Sequence, residues 1–215
     1  MNMSDLIQKI CIYAIPVIFA ITVHEAAHGW VAMLLGDMTA KREGRVTLNP
    51  LPHIDPIGTV AMPLLGLALG GFLFGWAKPV NVELSNLRYG RKSFVWVALA
   101  GPASNMLMAI FWALVARAAM ANMSNAYVAE PLALMGMAGV KINMMLMIFN
   151  LLPIPPLDGS RVVARFLKGR ALDFWLRMER HGMIILLVLM LVPGVFSLWF
   201  DPMSRLFSWI PAIAG

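Results

Sequence analysis

Residues 6–35 read LIQKICIYAIPVIFAITVHEAAHGWVAMLL, a stretch of 30 positions in which the charged or imidazole side chains are Lys9, His24, Glu25 and His28. About 20 mainly apolar residues, rising 1.5 Å each, cross the roughly 30 Å hydrocarbon core of a bilayer. The stretch therefore reads as a spanning helix. Its length, and the lack of a small-residue cleavage site followed by a polar mature domain, separate it from a secretory signal peptide.

The rest of the chain agrees with a lipid solvent. Of its 215 residues 60% are hydrophobic and 13% charged, against about 25% charged in a soluble domain, and the mean hydropathy is +0.76. A soluble globule is excluded. Further apolar runs occupy 57–74, 94–120, 132–152 and 183–200. The net charge of +6 is concentrated in six Lys/Arg at 161–180, which suits positive-inside topology and argues against a nucleic-acid partner. Cys11, the single cysteine, lies in an apolar segment and can form no intrachain disulfide.

Basic residues follow the first helix (Lys41, Arg42, Arg45), precede Phe94 (Arg88, Arg91, Lys92) and fill 161–180. All three clusters should face the cytoplasm, so 57–74 is expected to re-enter the membrane or form a hairpin rather than cross it. Its Pro56, Gly58, Pro63, Gly66, Gly70 and Gly71 fit irregular backbone covered by protein. The alternation in Arg45-Val46-Thr47-Leu48 predicts a short strand within a small membrane-associated β-hairpin. The expected architecture is an all-α polytopic membrane protein of about four spanning helices plus these two features. It forms a single domain over 1–215, with a core of about 6–168 and an extra C-terminal helix at about 182–200.

His24-Glu25-Ala26-Ala27-His28 is the HExxH pattern. Two His at i and i+4 project from one helical face, which suits two ligands on one tetrahedral zinc. Glu25, about 100° round the helix from His24, is placed to act as general base on a water. Three ionisable groups at bilayer depth mark a functional site by default. A catalytic zinc needs a third protein ligand, and Asp158 is the best candidate, following the Pro-rich stretch after Asn150 with Gly159 to permit a sharp turn. Capping of the segment after Asp158 is the competing role for that carboxylate.

Where HExxH in a first membrane helix is joined by Asn150-Leu-Leu-Pro-Ile-Pro-Pro-Leu-Asp158-Gly159, the chain resembles the site-2 protease family of intramembrane zinc metalloproteases. Leu48-Asn49-Pro50-Leu51, His53-Ile54-Asp55-Pro56-Ile57-Gly58-Thr59, Gly75-Trp76-Ala77-Lys78-Pro79-Val80 and Gly101-Pro102-Ala103-Ser104-Asn105 extend the likeness to the compact bacterial and archaeal branch. The resemblance implies one Zn2+ per chain on His24, His28 and Asp158, water activated by Glu25, and substrate contact by Asn150. Its expected partners are a transmembrane protein or peptide substrate and the lipid bilayer. A multi-pass location in the cell membrane follows, with the active site towards the cytoplasm. No PDZ insert is expected between Gly75 and Phe94, and no soluble domain after Phe200. The competing function is a non-enzymatic membrane metal carrier or sensor.

Asn105 falls at the same expected depth, either touching substrate or joining helices. His53 and Asp55 are expected to hydrogen-bond their own loop, and His181 to sit at the membrane interface. Lys141, a charge within an apolar run, needs a partner or water.

Overall fold

The computed structural model describes residues 3–61, 77–121, 126–190, 192 and 194–214. Its frame is three long helices, α1 (Met3–Leu34), α3 (Arg91–Ala121) and α4 (Ala126–Asn150), with a short α2 (Thr39–Arg42) after the first. Over Ile7–Leu34, Arg91–Ala121 and Ala126–Asn150 they are long and apolar enough to cross a membrane. The chain is thus a helical membrane protein.

α3 packs along α4, and α1 lies against both. Lipid supplies no hydrophobic drive for helices to associate, so close packing of small residues must do it. Ala109, Ala113 and Ala116 of α3 are fully buried. A Cβ on Gly136 would stand 2.8 Å from the Ala116 backbone, and Gly139 lies flat on the Trp112 ring with no room for one. The outer face of α1 exposes Ile7, Ile10, Ile15, Ile18 and Phe19 to the surroundings, as a lipid-facing helix does.

After α1 the chain turns at Gly36, whose φ of +111° favours glycine, and enters a polar knot around Asp37. That carboxylate is fully buried. It accepts hydrogen bonds from Thr39 N (3.0 Å), Thr39 Oγ1 (2.6 Å), Glu83 N (2.7 Å) and Asn86 Nδ2 (3.1 Å). The bonds tie the end of α1 to an extended strap, residues 77–83. Arg45, also buried, holds the other end by donating to the carbonyls of Lys78 (3.3 Å) and Pro79 (3.0 Å).

Burial pushes the Asp37 carboxyl up, but the Thr39, Glu83 and Asn86 donors outweigh it and hold it below the ordinary carboxylate value. Its stabilising contribution is therefore complete above the ordinary carboxylate range and lost as pH falls through the lowered pKa. Asp37→Ala is expected to cost about 3 kcal/mol by stranding these donors. Unfolding in detergent should give that difference near neutrality and a shrinking one in strong acid.

Two expectations are corrected. Residues 46–48 are bends, Arg45 is irregular, and no strand occurs among the described residues. Side chains bond the backbone of 47–51 locally instead of a ladder: His53 Nε2 donates to Thr47 O, Thr47 Oγ1 accepts from Asn49 N, and Asn49 Oδ1 accepts from Leu51 N. The run 183–200 is not one spanning helix either. After α5 (Asp158–Ala164) and α6 (Gly169–Glu179), α7 (Gly182–Met190) has 9 residues, about 14 Å of helix at 1.5 Å per residue, well short of a bilayer. The backbone then turns at Gly194 (φ +80°). α8 (Ser197–Leu206) and α9 (Trp209–Ala212) fold back onto α3 and α4, burying Ile210 completely. The described helices thus supply three candidate spans rather than four.

Of the proposed re-entrant segment, Pro56–Ala61 forms a π-helical turn in which Asp55 Oδ1 accepts from the backbone N–H of Ile57 (3.0 Å) and Gly58 (2.6 Å). The remainder lies outside the described residues. His53 and Asp55 hydrogen-bond their own loop, Lys141 faces outward, and His181 is exposed.

Candidate metal centre

Helical geometry sets His24 and His28 one turn apart on the buried face of α1, their rings edge to face with centroids 4.7 Å apart. Their Nε2 atoms lie 3.1 Å from each other, and each is 3.3 Å from Asp158 Oδ2. Asp158 reaches them from the far end of α4. A Pro-rich turn at 151–157 reverses the chain, and Asp158 opens α5 (Asp158–Ala164). Gly159 is needed there for closeness rather than for φ, since a Cβ would run into the carbonyls of Leu151 and Leu152.

The hydrogen-bond partners fix the ring tautomers. His28 Nδ1 meets the Val97 carbonyl at 2.7 Å, which can only accept, so the proton is on Nδ1 and Nε2 carries a lone pair. His24 Nδ1 meets Asn105 Oδ1 at 2.5 Å. Asn105 Nδ2 donates to Asn143 Oδ1 (2.9 Å) and Ala20 O (3.3 Å), and Asn143 Nδ2 donates to Gly139 O (2.9 Å). This chain turns Asn105 Oδ1 towards His24, so His24 Nε2 also carries a lone pair.

Two imidazole lone pairs and one carboxylate oxygen therefore face one point, and Asp158 Oδ2 is buried with no hydrogen-bond donor on it. With both rings neutral, such a cluster is repulsive without a cation at its centre. Ligands 2.0–2.1 Å from a tetrahedral zinc stand about 3.3 Å apart, matching edges of 3.1 to 3.3 Å. The residues fit zinc.

Glu25 is not one of the converging ligands, and its Oε2 accepts the Val80 N–H of the strap at 3.0 Å. A cavity of about 120 Å³ opens between them, lined by His24, Glu25, Asn150, Asp158, Val80 and Arg161 among others. Asn150 faces this cavity and donates Nδ2 to the Leu146 carbonyl at 3.0 Å. Asn105 is fully buried and bonded to His24 rather than open to the cavity. Asn105→Leu is expected to weaken zinc binding about 10- to 100-fold, the usual cost of losing the group that orients a ligating His. Titration in a zinc-buffered solution measures this.

Sequence reasoning did not single out Asn143, and it gave Arg45, Gly101 and the strap residues 77–80 no role at the metal site. Asn143 had a signal, an amide inside an apolar helix. Gly101 stood in a motif of the family likeness, but nothing in the sequence showed why: a Cβ there would be 2.6 Å from His24 Nε2 and closer still to His28 Nε2.

The sequence profile of peptidase family M50 matches residues 116–192. The chain is 37% identical over 212 residues, 91% of its length and 90% of the relative's, to YwhC of Bacillus subtilis (strain 168), named provisionally as a zinc metalloprotease. It is 30% identical over 205 residues to Rip2 of Mycolicibacterium smegmatis, covering 92% of this chain and 76% of that one. With Rip2 of Mycobacterium tuberculosis (strain H37Rv) it shares 27% identity over 193 residues, covering 88% and 70%. Both Rip2 proteins carry the same provisional zinc metalloprotease name. No solved structure matches the chain.

Proposed function

The chain belongs to peptidase family M50 and is a zinc metalloprotease of the membrane, and from that premise we propose that His24, His28 and Asp158 hold its zinc, with Glu25 as the catalytic base. The observation that carries this reading is the convergence of their three ligand atoms with edges of 3.1 to 3.3 Å.

Zinc at this position supplies Lewis acidity, polarising a carbonyl and making a water acidic near neutral pH. Glu25 takes the proton of the attacking water and returns it to the amine nitrogen as the C–N bond breaks. The Val80 N–H on Oε2 holds the carboxylate in place for both transfers. Asn150, at the cavity wall, steadies the backbone flanking the scissile bond. Asn105 acts as a positioning residue, keeping His24 Nε2 free to ligate.

An α-helix with its side chains is about 10–12 Å across, too wide for a cavity of about 120 Å³. Substrates are transmembrane helices that unwind locally, so weak or kinked helices should be favoured. The basic residues of 161–180, which begin one turn after Asp158, favour a centre towards the cytoplasmic side under the positive-inside rule.

The test is purification in detergent, elemental analysis, and cleavage of a membrane-helix peptide before and after chelation. About one zinc per chain, activity lost on chelation and activity regained on zinc addition are expected. Undiminished cleavage by metal-free protein would overturn the reading.

A further inference from the structure

Beyond the strap, a second cavity of about 320 Å³ adjoins the catalytic one and shares Pro79, Val80, Val82 and Arg161 with it. Its walls carry three guanidinium groups, Arg91, Arg161 and Arg165, against one carboxylate, Glu179. None of the three is ion-paired among the described residues. Arg161 is the best placed. Its guanidinium lies over the Phe94 ring, 5.0 Å from the centroid, and its Nε is buried with no hydrogen-bond partner.

A buried N–H of a charged group left without an acceptor is costly. The planar guanidinium fork matches a carboxylate with two parallel hydrogen bonds. Arg161 also stands three residues after Asp158 on the same helix, so the two side chains share a face about 5–6 Å apart at Cβ. An extended peptide advances about 3.3 Å per residue. A chain with its scissile bond at the His24–His28–Asp158 cluster therefore brings a side chain two or three positions away to Arg161.

We propose that this second cavity is a substrate subsite for an acidic side chain, Asp or Glu, two or three residues from the scissile bond and gripped by Arg161. Arg91 and Arg165 add to the positive field. The walls shared with the catalytic cavity point to the peptide being cleaved as the occupant rather than a lipid headgroup. The assignment rests on the catalytic reading above for its register.

The test uses binding, not turnover. Glu25→Gln protein is placed in phosphatidylcholine nanodiscs and titrated with a neutral membrane-helix peptide in which Glu or Gln is scanned over nine successive positions around the cleavage point. At one or two positions Glu should bind about tenfold tighter than Gln, the scale of a charge-assisted hydrogen bond. Adding Arg161→Gln should bring that ratio to about one, while Arg161→Lys should keep part of it. If Arg161→Gln does not fold, Arg165→Gln should reduce the same ratio by weakening the field. Equal affinities throughout the scan overturn the proposal, as does a ratio that survives Arg161→Gln. Loss of the ratio on changing to phosphatidylglycerol, with Gln-peptide affinity unchanged, would assign the cavity to a lipid headgroup and overturn it too. Because binding is read directly, absence of cleavage by the native protein would sink the catalytic reading and leave this ratio to be judged separately.

Discussion

Glu25→Gln is expected to lower the rate of peptide hydrolysis about 10³-fold while one zinc per chain stays bound. The amide has nearly the carboxylate's shape, and its oxygen can still accept the Val80 N–H that Glu25 Oε2 accepts at 3.0 Å. The strap therefore keeps its place. The ligand atoms are also untouched, since the converging set is His24, His28 and Asp158. What disappears is the capacity to take a proton, and a positioned general base contributes typically 10²–10⁴ in rate. Turnover and elemental zinc measured on one preparation separate loss of the base from loss of the metal. Full activity in this variant would remove Glu25 from the mechanism.

Gly101→Ala should produce the other large effect, by a steric route. The new Cβ would stand 2.5 Å from His24 Cε1 and 2.6 Å from His24 Nε2, with His28 Nε2 closer still. Side chains cannot yield easily here, because the groups orienting both rings come from the same helix. Val97 O holds His28 and Asn105 Oδ1 holds His24. If α3 retreats to make room, both hydrogen bonds stretch; if the rings move instead, the three edges no longer suit one ion. A displacement near 1 Å at a catalytic centre costs on the order of 10²-fold in rate, and misoriented ligands cost a further 10- to 100-fold in zinc affinity. Zinc titration and turnover of the alanine variant check this. Native zinc affinity would show that α3 and α1 are not held as closely as the side-chain network requires.

The parts of the site legible in the sequence are those set by short-range geometry. HExxH announces itself because a helix fixes the i, i+4 spacing wherever it occurs. Three spans announce themselves because hydropathy over about 20 residues is a property of the segment alone. Asp158 was reachable by its chemistry and its turn, with capping as the competing role. The strand at 45–48 was misread because alternation predicts extended backbone but not a partner; the side chains of Thr47, Asn49 and His53 bond the backbone of 47–51 instead. The run 183–200 was misread because apolar composition does not distinguish a span from a short helix packed through Leu186 on Leu152 and Leu157, followed by a turn into a second helix whose Trp199 and Phe200 pack on the α3–α4 core.

The sequence by itself determined that this chain lives in a membrane, that one helix presents two imidazoles and a carboxylate, and what chemistry those groups suit. Each follows from the identity and spacing of neighbouring residues. Only the tertiary structure decided that Asp158 Oδ2 lies 3.3 Å from both imidazoles, that Asn105 serves His24, and that the strap reaches Glu25 through Val80. The reason is geometric: these contacts join residues 55 to 134 positions apart in the chain, and the small faces of α3 and α4 bring such residues within hydrogen-bonding distance only after the helices have packed.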